Sequence, residues 1–325
     1  MKSSMVEMLE LDYEVVSEKI EEFIRNYVRV LKKEGVIVGL SGGLDSSTVA
    51  TLSVRALGPE RVFGLIMPER DSEPQNIRDA KRLASSLKIE YDVIDLTPVL
   101  RKMGIYDILP DSIVKNKKLF IEKLREAYRV SVFEHKAVDL PIVDPNSFTG
   151  DYSFTLRDQT SEIEMIDIKS GRRGYCFTFP KVRLRSIMLY YHACLRKLLV
   201  AGTITKSEYV TSTYDEHGDG ACEIAPLKNL YKTQVRQLAH HLKVPKYILN
   251  KPSTPDLILG SLITDEALIG MDYLKLDSIL CCLERGMQTH EIVEKLEVEE
   301  SVVKRVQNTL TMANYRRQMP FAPSI

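Results

Sequence analysis

Hydrophobic and polar positions change their period several times along this chain, and each change marks an element. Between 13 and 32, Val16, Ile20, Phe23, Ile24, Tyr27, Val28 and Leu31 recur at helical spacing with charges between them. That spacing predicts an amphipathic helix covering one face of a larger unit. Val36-Ile37-Val38-Gly39-Leu40 is a short uninterrupted apolar run, as in a strand buried on both faces of a parallel sheet. A Gly- and Ser-rich loop follows, then a helix from about 46 to 57 that Gly58-Pro59 stops. Residues 62–67 predict a second strand. Ser72-Glu73-Pro74-Gln75 has the Ser-x-x-Gln spacing of a capping box, and Ile77, Ala80, Leu83, Ala84 and Leu87 give the next helix its apolar face. Ile89, Tyr91 and Val93 alternate with polar residues and lead into Asp95-Leu96, a third strand. Strands and helices in strict alternation predict an α/β fold with a doubly wound parallel sheet, its ligands beyond the carboxyl ends of the strands.

The alternation breaks over 106–179. This segment predicts a helix over 112–130 and then β-rich sequence. Ile163 and Met165 alternate with Glu162 and Glu164, the register slips by one to Ile166 and Ile168, and Lys169-Ser170-Gly171-Arg172-Arg173-Gly174 leads to Tyr175-Cys176-Phe177-Thr178-Phe179. Two strands about a glycine-bearing turn read as a hairpin. The domain reading is therefore 1–105 as the first part of the α/β unit, 106–179 as a helical and β-hairpin insertion, and 180–325 as the remainder with a helical C-terminus. After Pro180 a helix over 183–197 leads into Leu198-Leu199-Val200-Ala201, a fourth strand ending at Gly202-Thr203. Residues 232–242 are helical, and most of the chain from 265 onward is too. Residues 289–309 superficially resemble a helix-turn-helix, but without a basic recognition face they read as packing helices.

Composition narrows the function classes. Lys+Arg and Asp+Glu both number 45, a net charge of zero, which speaks against a sequence-independent nucleic-acid binder. No apolar stretch approaches the ~20 residues that span a bilayer, and residues 1–13 carry acids with no apolar core of a signal peptide. The five cysteines include no Cys-x-x-Cys pair, and their odd number fits reduced thiols in a cytoplasmic protein. The neighbours Cys281 and Cys282 read as core filler.

The chemistry begins at Ser41-Gly42-Gly43-Leu44-Asp45-Ser46-Ser47. Between a buried strand and a helix, backbone N–H groups and the positive end of the helix dipole converge on one point. Gly42 and Gly43 allow the main chain to approach an anion, and Ser41, Ser46 and Ser47 add hydroxyl donors. A Walker loop would carry Lys before its Ser, and none is present. Asp45 stands there instead. An acid beside a polyphosphate is repelled unless a divalent cation lies between them, so Asp45 predicts Mg²⁺.

This loop is the signature of the N-type ATP pyrophosphatases, and the resemblance extends beyond it to the ammonia-dependent NAD synthetases. It covers Val36 to Arg70, Val200-Ala201-Gly202-Thr203-Ile204-Thr205-Lys206-Ser207-Glu208, Gly218-Asp219-Gly220, Ile224-Ala225-Pro226-Leu227 and Leu230-Tyr231-Lys232-Thr233-Gln234-Val235. It closes with Lys251-Pro252-Ser253-Thr254-Pro255-Asp256-Leu257 and Arg316-Arg317-Gln318-Met319-Pro320. The resemblance implies an adenine-nucleotide α-hydrolase type of Rossmann-like fold, and a ligase that adenylates a carboxylate with ATP and then amidates it with ammonia. It assigns Mg²⁺ to Asp45 and Glu208. ATP and its pyrophosphate go to Ser41, Gly42, Gly43, Asp45, Ser46, Ser47, Thr203, Lys232 and Thr254, with Asp45 and Lys232 as the catalytic pair. Arg183, Glu216, Glu223, Tyr315 and Arg316 fall where the family contacts its dinucleotide. Free or partner-supplied ammonia is implied, since no glutaminase module is recognisable, and a homodimer is the family's habit.

The departures lie on the acceptor side. Glu216-His217-Gly218-Asp219-Gly220 stands where the family has Lys-Tyr-Gly-Asp-Gly, reversing one charge. The family's His-Lys reads Tyr315-Arg316, and its Gly-Thr-Gly-Asn reads Gly202-Thr203-Ile204-Thr205. The acceptor is left open between deamido-NAD and a different carboxylate served by the same chemistry. A nucleotide-binding protein without activity is the third reading, and two metal carboxylates argue against it.

Overall fold

The computed structural model describes residues 2–108, 171–257, 264–318 and 323, with 152–154, 157–158, 161–162 and 166–168 between them. Its strands, in chain order, are β1 (Gly35–Gly39), β2 (Val62–Ile66), β3 (Glu90–Val93), β4 (Tyr152–Phe154), β5 (Arg157–Asp158), β6 (Ser161–Glu162), β7 (Ile166–Ile168) and β8 (Leu198–Ala201). β3, β2, β1 and β8 form one sheet in that order, parallel throughout. The helices Leu44–Leu57 and Pro74–Leu87 make the crossovers from β1 to β2 and from β2 to β3. The chain therefore grows outward from β1 on one side and returns to its other side with β8. That reversal opens a crevice at the carboxyl ends of β1 and β8, between the loops that follow them.

Alternation along the strands sorts side chains onto two faces. Val36, Val38, Leu199 and Ala201 face a core shared with Ile24, Val49, Leu83 and Leu238, from the helices Tyr13–Val30, Leu44–Leu57, Pro74–Leu87 and Lys232–His241. Ile37, Phe63, Leu65 and Val200 face the opposite way, onto Leu100, Tyr106, Phe177 and Ala193. Both faces are covered, which is why these strands read as continuous apolar runs. A third core joins Met5 and Leu9 to Ile279, Cys282, Ile292, Leu296, Val303 and Val306. Cys281 and Cys282 are buried filler there, and the helices Thr289–Leu296 and Glu300–Arg316 are packing helices.

Four local expectations need correction. Tyr175-Cys176-Phe177-Thr178-Phe179 is not a strand but lies in the helix Gly171–Arg196, with Pro180 inside it. The helix expected from 183 thus starts at Gly171, although Pro180 removes a backbone donor. Phe177 packs into the core on this face of the sheet, and Lys181, one turn on, is paired with Glu69 and Asp71, so the helix is anchored on both sides of the proline. The expected hairpin partner is also different: Ile166–Ile168 pairs antiparallel with Tyr152–Phe154. The helix Pro74–Leu87 is capped by Glu73, which accepts from the Gln75 N–H, while the Ser72 hydroxyl accepts from the Glu69 N–H. The third strand is Glu90–Val93, and Asp95-Leu96 lies beyond it, though the Leu96 N–H still bonds the Pro68 carbonyl. The helix expected over 112–130 lies outside the described residues.

Candidate active site

After β1 the chain turns at Gly42, whose φ of +75° is left-handed. A Cβ there would run into the Asn76 carbonyl, so only glycine fits. The helix Leu44–Leu57 starts from Gly43, which offers no side-chain acceptor to the first-turn N–H groups. Those donors face the crevice uncapped, the arrangement that receives an anion. The serines brace the turn: Ser41 and Ser46 hydroxyls lie 3.0 Å apart, and Ser47 donates to the Gly43 carbonyl at 2.6 Å. From beneath, Lys251 donates to the Gly42 carbonyl at 3.2 Å and to Asn76 Oδ1 at 2.9 Å, and pairs with Asp79.

Three charges converge beside this loop from three segments. Asp45 lies in the first turn after β1, Glu208 in the helix Lys206–Thr211 after β8, and Lys232 at the start of the helix Lys232–His241. Lys232 Nζ lies 2.6 Å from Asp45 Oδ2 and 3.0 Å from Glu208 Oε1. Glu208 Oε2 completes a capping box with Thr205, accepting its N–H at 2.8 Å, so the cap fixes the carboxylate that faces Lys232. Burial, together with the negative charges of Glu208 and Asp265, pushes the Asp45 carboxyl up to about 6, although Lys232 opposes this. Burial also disfavours ionised Glu208, but Lys232 and the Thr205 amide outweigh it and hold that carboxyl below its ordinary value. Lys232 stays well above its ordinary value because the two acids overcome its burial.

Asp45 Oδ1 is buried and has no hydrogen-bond partner. An unsatisfied carboxylate oxygen in a buried site costs free energy unless something binds it. Two carboxylates from separate elements, one with a free oxygen, are the hard oxygen donors that Mg²⁺ takes. The residues present fit the ion.

A cleft of about 770 Å³ runs over these groups, and Ser41, Gly43, Ser46, Thr203, Glu208 and Lys232 line it. Thr254 lines it as well, beside Ser253, which donates to Asp265 Oδ2 at 2.5 Å. Asp219, not singled out from the sequence, also lines it; burial pushes its carboxyl up to about 7. The Gly-Asp-Gly around it was the available signal.

The residues expected to meet the acceptor are distributed differently. Arg183 forms a fork with Asp215 at 2.8 and 3.0 Å and is not on the cleft wall. That hydrogen bond holds its guanidinium above the ordinary value. Glu216 pairs with Arg316 at 2.9 Å, and Arg316 also donates to the Ser212 carbonyl. Glu223 accepts the Val200 N–H at 2.8 Å and lies 3.6 Å from Lys33, bracing the sheet edge. The side chain of Tyr315 lies outside the described residues.

A glycine- and serine-rich turn with uncapped helix N–H groups at the switch point of a parallel sheet, with two acids and a lysine beside it, is the anion-binding architecture of an α/β nucleotide-using enzyme. The family model for NAD synthase matches residues 16–127 and 172–320. The chain is 38% identical over 313 residues to the NH(3)-dependent NAD(+) synthetase of Thermotoga maritima, covering 94% of this chain and 95% of that one. It is 33% identical over 312 residues to the one of Methanocaldococcus jannaschii, covering 96% and 97%. It belongs to the NAD synthase family. The fold is shared with an NMN synthetase of Francisella tularensis, TM-score 0.65 at 24% identity over 97% of this chain and 100% of that one. An NH3-dependent NAD synthetase of Campylobacter jejuni superposes with a TM-score of 0.63, also at 24% identity and with the same coverage.

Proposed function

We propose that this chain makes NAD from deamido-NAD, ATP and ammonia. The observation that carries this reading is the Asp45–Lys232–Glu208 constellation over the phosphate loop, in a chain whose curated relatives are NH(3)-dependent NAD(+) synthetases over nearly their full length. The substrate carboxylate attacks the α-phosphorus of ATP; a C–O–P bond forms and the bond to the bridging oxygen breaks, releasing pyrophosphate. Ammonia then attacks the acyl carbon, AMP leaves, and an amide remains. The first-turn N–H groups and the hydroxyls of Ser41 and Ser46 receive the pyrophosphate, and Thr203 and Thr254 line its path. Lys232, desolvated among acids, is a point charge aimed at the phosphates. Asp45 and Glu208 would hold Mg²⁺, which supplies charge neutralisation at the triphosphate when bound. Asp219 lines the cleft, and its carboxyl, which burial pushes up to about 7, is suited to take the proton that the nitrogen loses.

The same cleft would adenylate another carboxylate, and one observation favours that second reading: Glu216, at the family's lysine position, is spent on Arg316. Homodimerisation is supported by an exposed apolar stripe, Ile187, Tyr190, Tyr191 and Leu195, along the helix Gly171–Arg196. A cytoplasmic setting is supported by the free thiols of Cys194, Cys222, Cys281 and Cys282. Among the described residues no helix is long and apolar enough to cross a membrane. The test is pyrophosphate release and NAD formation with ATP, Mg²⁺ and ammonium, with and without deamido-NAD. Turnover that requires deamido-NAD is the expected result. A folded protein that releases pyrophosphate only with a different carboxylate would move the assignment to the second reading.

A further inference from the structure

Arg185 lies on the helix Gly171–Arg196, which forms one wall of the cleft through Thr178, Phe179, Val182, Arg185 and Ser186. Among the described residues its guanidinium donates to two carbonyls, Met67 O at 3.2 Å and Lys181 O at 3.3 Å. Among the described residues no carboxylate forms an ion pair with it. The acids nearest in electrostatic terms, Glu69 and Asp256, are already committed. Glu69 is held by Lys181 at 3.1 Å, by the Tyr106 hydroxyl at 2.7 Å and by the Asp71 N–H at 3.1 Å. Asp256 accepts from Asn76 at 2.9 Å and from the Glu73 N–H at 3.0 Å. Asp71, the other acid of the cluster, is matched by Lys181 at 2.6 Å and by Arg70 at 2.9 Å. Lys181 and Arg70 thus balance Glu69 and Asp71, while Asp256, held by neutral donors, acts on Arg185 from a distance without forming an ion pair with it.

A half-buried guanidinium whose hydrogen bonds among the described residues go to neutral carbonyls is costly to keep, and burial holds it below its ordinary value. A planar fork of this kind is suited to a carboxylate or phosphate that arrives with a ligand. The position of Arg185 decides between the ligands. In the proposed reaction the loop 41–47 and Lys232 serve the ATP end from the side of the helices Leu44–Leu57 and Lys232–His241, whereas Arg185 lies on the helix that packs on the opposite face of the sheet. Arg183, two residues away, is neutralised by Asp215, a partner that is itself buried.

We infer that Arg185 binds an oxyanion of the carboxylate-bearing dinucleotide substrate, the recognition role that family resemblance gives to Arg183. This rests on the proposed ligase activity, and the experiment keeps the two separable by measuring binding as well as turnover. Calorimetric titration of deamido-NAD and, separately, of Mg-ATP would be done on the wild type, Arg185→Met and Arg185→Lys, with thermal melts of each. Arg185→Met is expected to weaken deamido-NAD binding on the order of 10- to 100-fold, with ATP affinity within about twofold of wild type and no loss of melting temperature. Arg185→Lys is expected to restore part of the loss, and it carries the test if the methionine variant fails to fold. Equal loss for both ligands, loss for ATP alone, or unchanged deamido-NAD binding would each overturn the inference. So would a wild type that does not bind deamido-NAD. A wild type that binds it without turnover would sink the proposed activity and leave the Arg185 result to stand or fall on the affinities.

Discussion

Lys232 and Asp45 meet at 2.6 Å although 187 positions separate them, and the same ammonium reaches Glu208 at 3.0 Å. The lysine thereby sits between the two acids proposed to hold Mg²⁺. Lys232 and a bound Mg²⁺ would compete at Glu208 Oε1, while Asp45 keeps Oδ1 free for the ion. Lys232→Met is expected to lower kcat by about 10²- to 10³-fold through loss of phosphate stabilisation. Without Mg²⁺ it is expected to cost about 3–5 kcal/mol, because two buried carboxylates lose their counter-charge. Melts with and without Mg²⁺ check this: the ion is expected to raise the melting temperature of the variant more than that of the wild type.

Gly42 is the turn that sets the uncapped start of the helix Leu44–Leu57, the proposed phosphate site. Gly42→Ala places a Cβ against the Asn76 carbonyl at a left-handed φ, and a destabilisation of about 1–3 kcal/mol is expected. Denaturant unfolding reads the loss, and ATP titration is expected to show weaker binding than in the wild type.

The Asp219 carboxyl gives a pH signature. Its value rises from 3.8 to about 7 on folding, mainly through burial, so the native state keeps a proton that the unfolded state releases. A raised carboxyl binds more protons folded than unfolded, and stability therefore falls as pH rises between about 4 and 7. Asp219→Asn is expected to flatten that part of the stability-versus-pH curve. An unchanged slope would show that Asp219 titrates normally.

Glu216 and Arg316 tie the end of the helix Glu300–Arg316 to the loop that carries Asp219. Glu216→Lys sets two cations against each other and is expected to lower the melting temperature. The exchange Glu216→Arg with Arg316→Glu is expected to recover most of the loss, and a double-mutant cycle measures the coupling.

Much of this was legible in the chain itself, for identifiable reasons. β1, β2 and β8 are uninterrupted apolar runs because both sheet faces are covered, and the phosphate loop is local, so its glycines and serines are contiguous. What escaped is tertiary or ambiguous. Tyr175 to Phe179 alternates like a strand, and only the inward packing of Phe177 and Lys181 shows it to be helical. The engagement of Arg183 by Asp215, and of Glu216 by Arg316, joins segments that no local pattern links. Lys251 gave no sign of bracing Gly42, because that contact spans 209 positions.

The central claim is tested most directly by a crystal structure with Mg²⁺ and a non-hydrolysable ATP analogue. The account predicts one cation bound by both Asp45 and Glu208 at about 2.0–2.1 Å, with the phosphates over Gly42 and Gly43 and Lys232 turned toward them. Phosphates bound away from that loop, or a cation that touches only one of the two carboxylates, would contradict it.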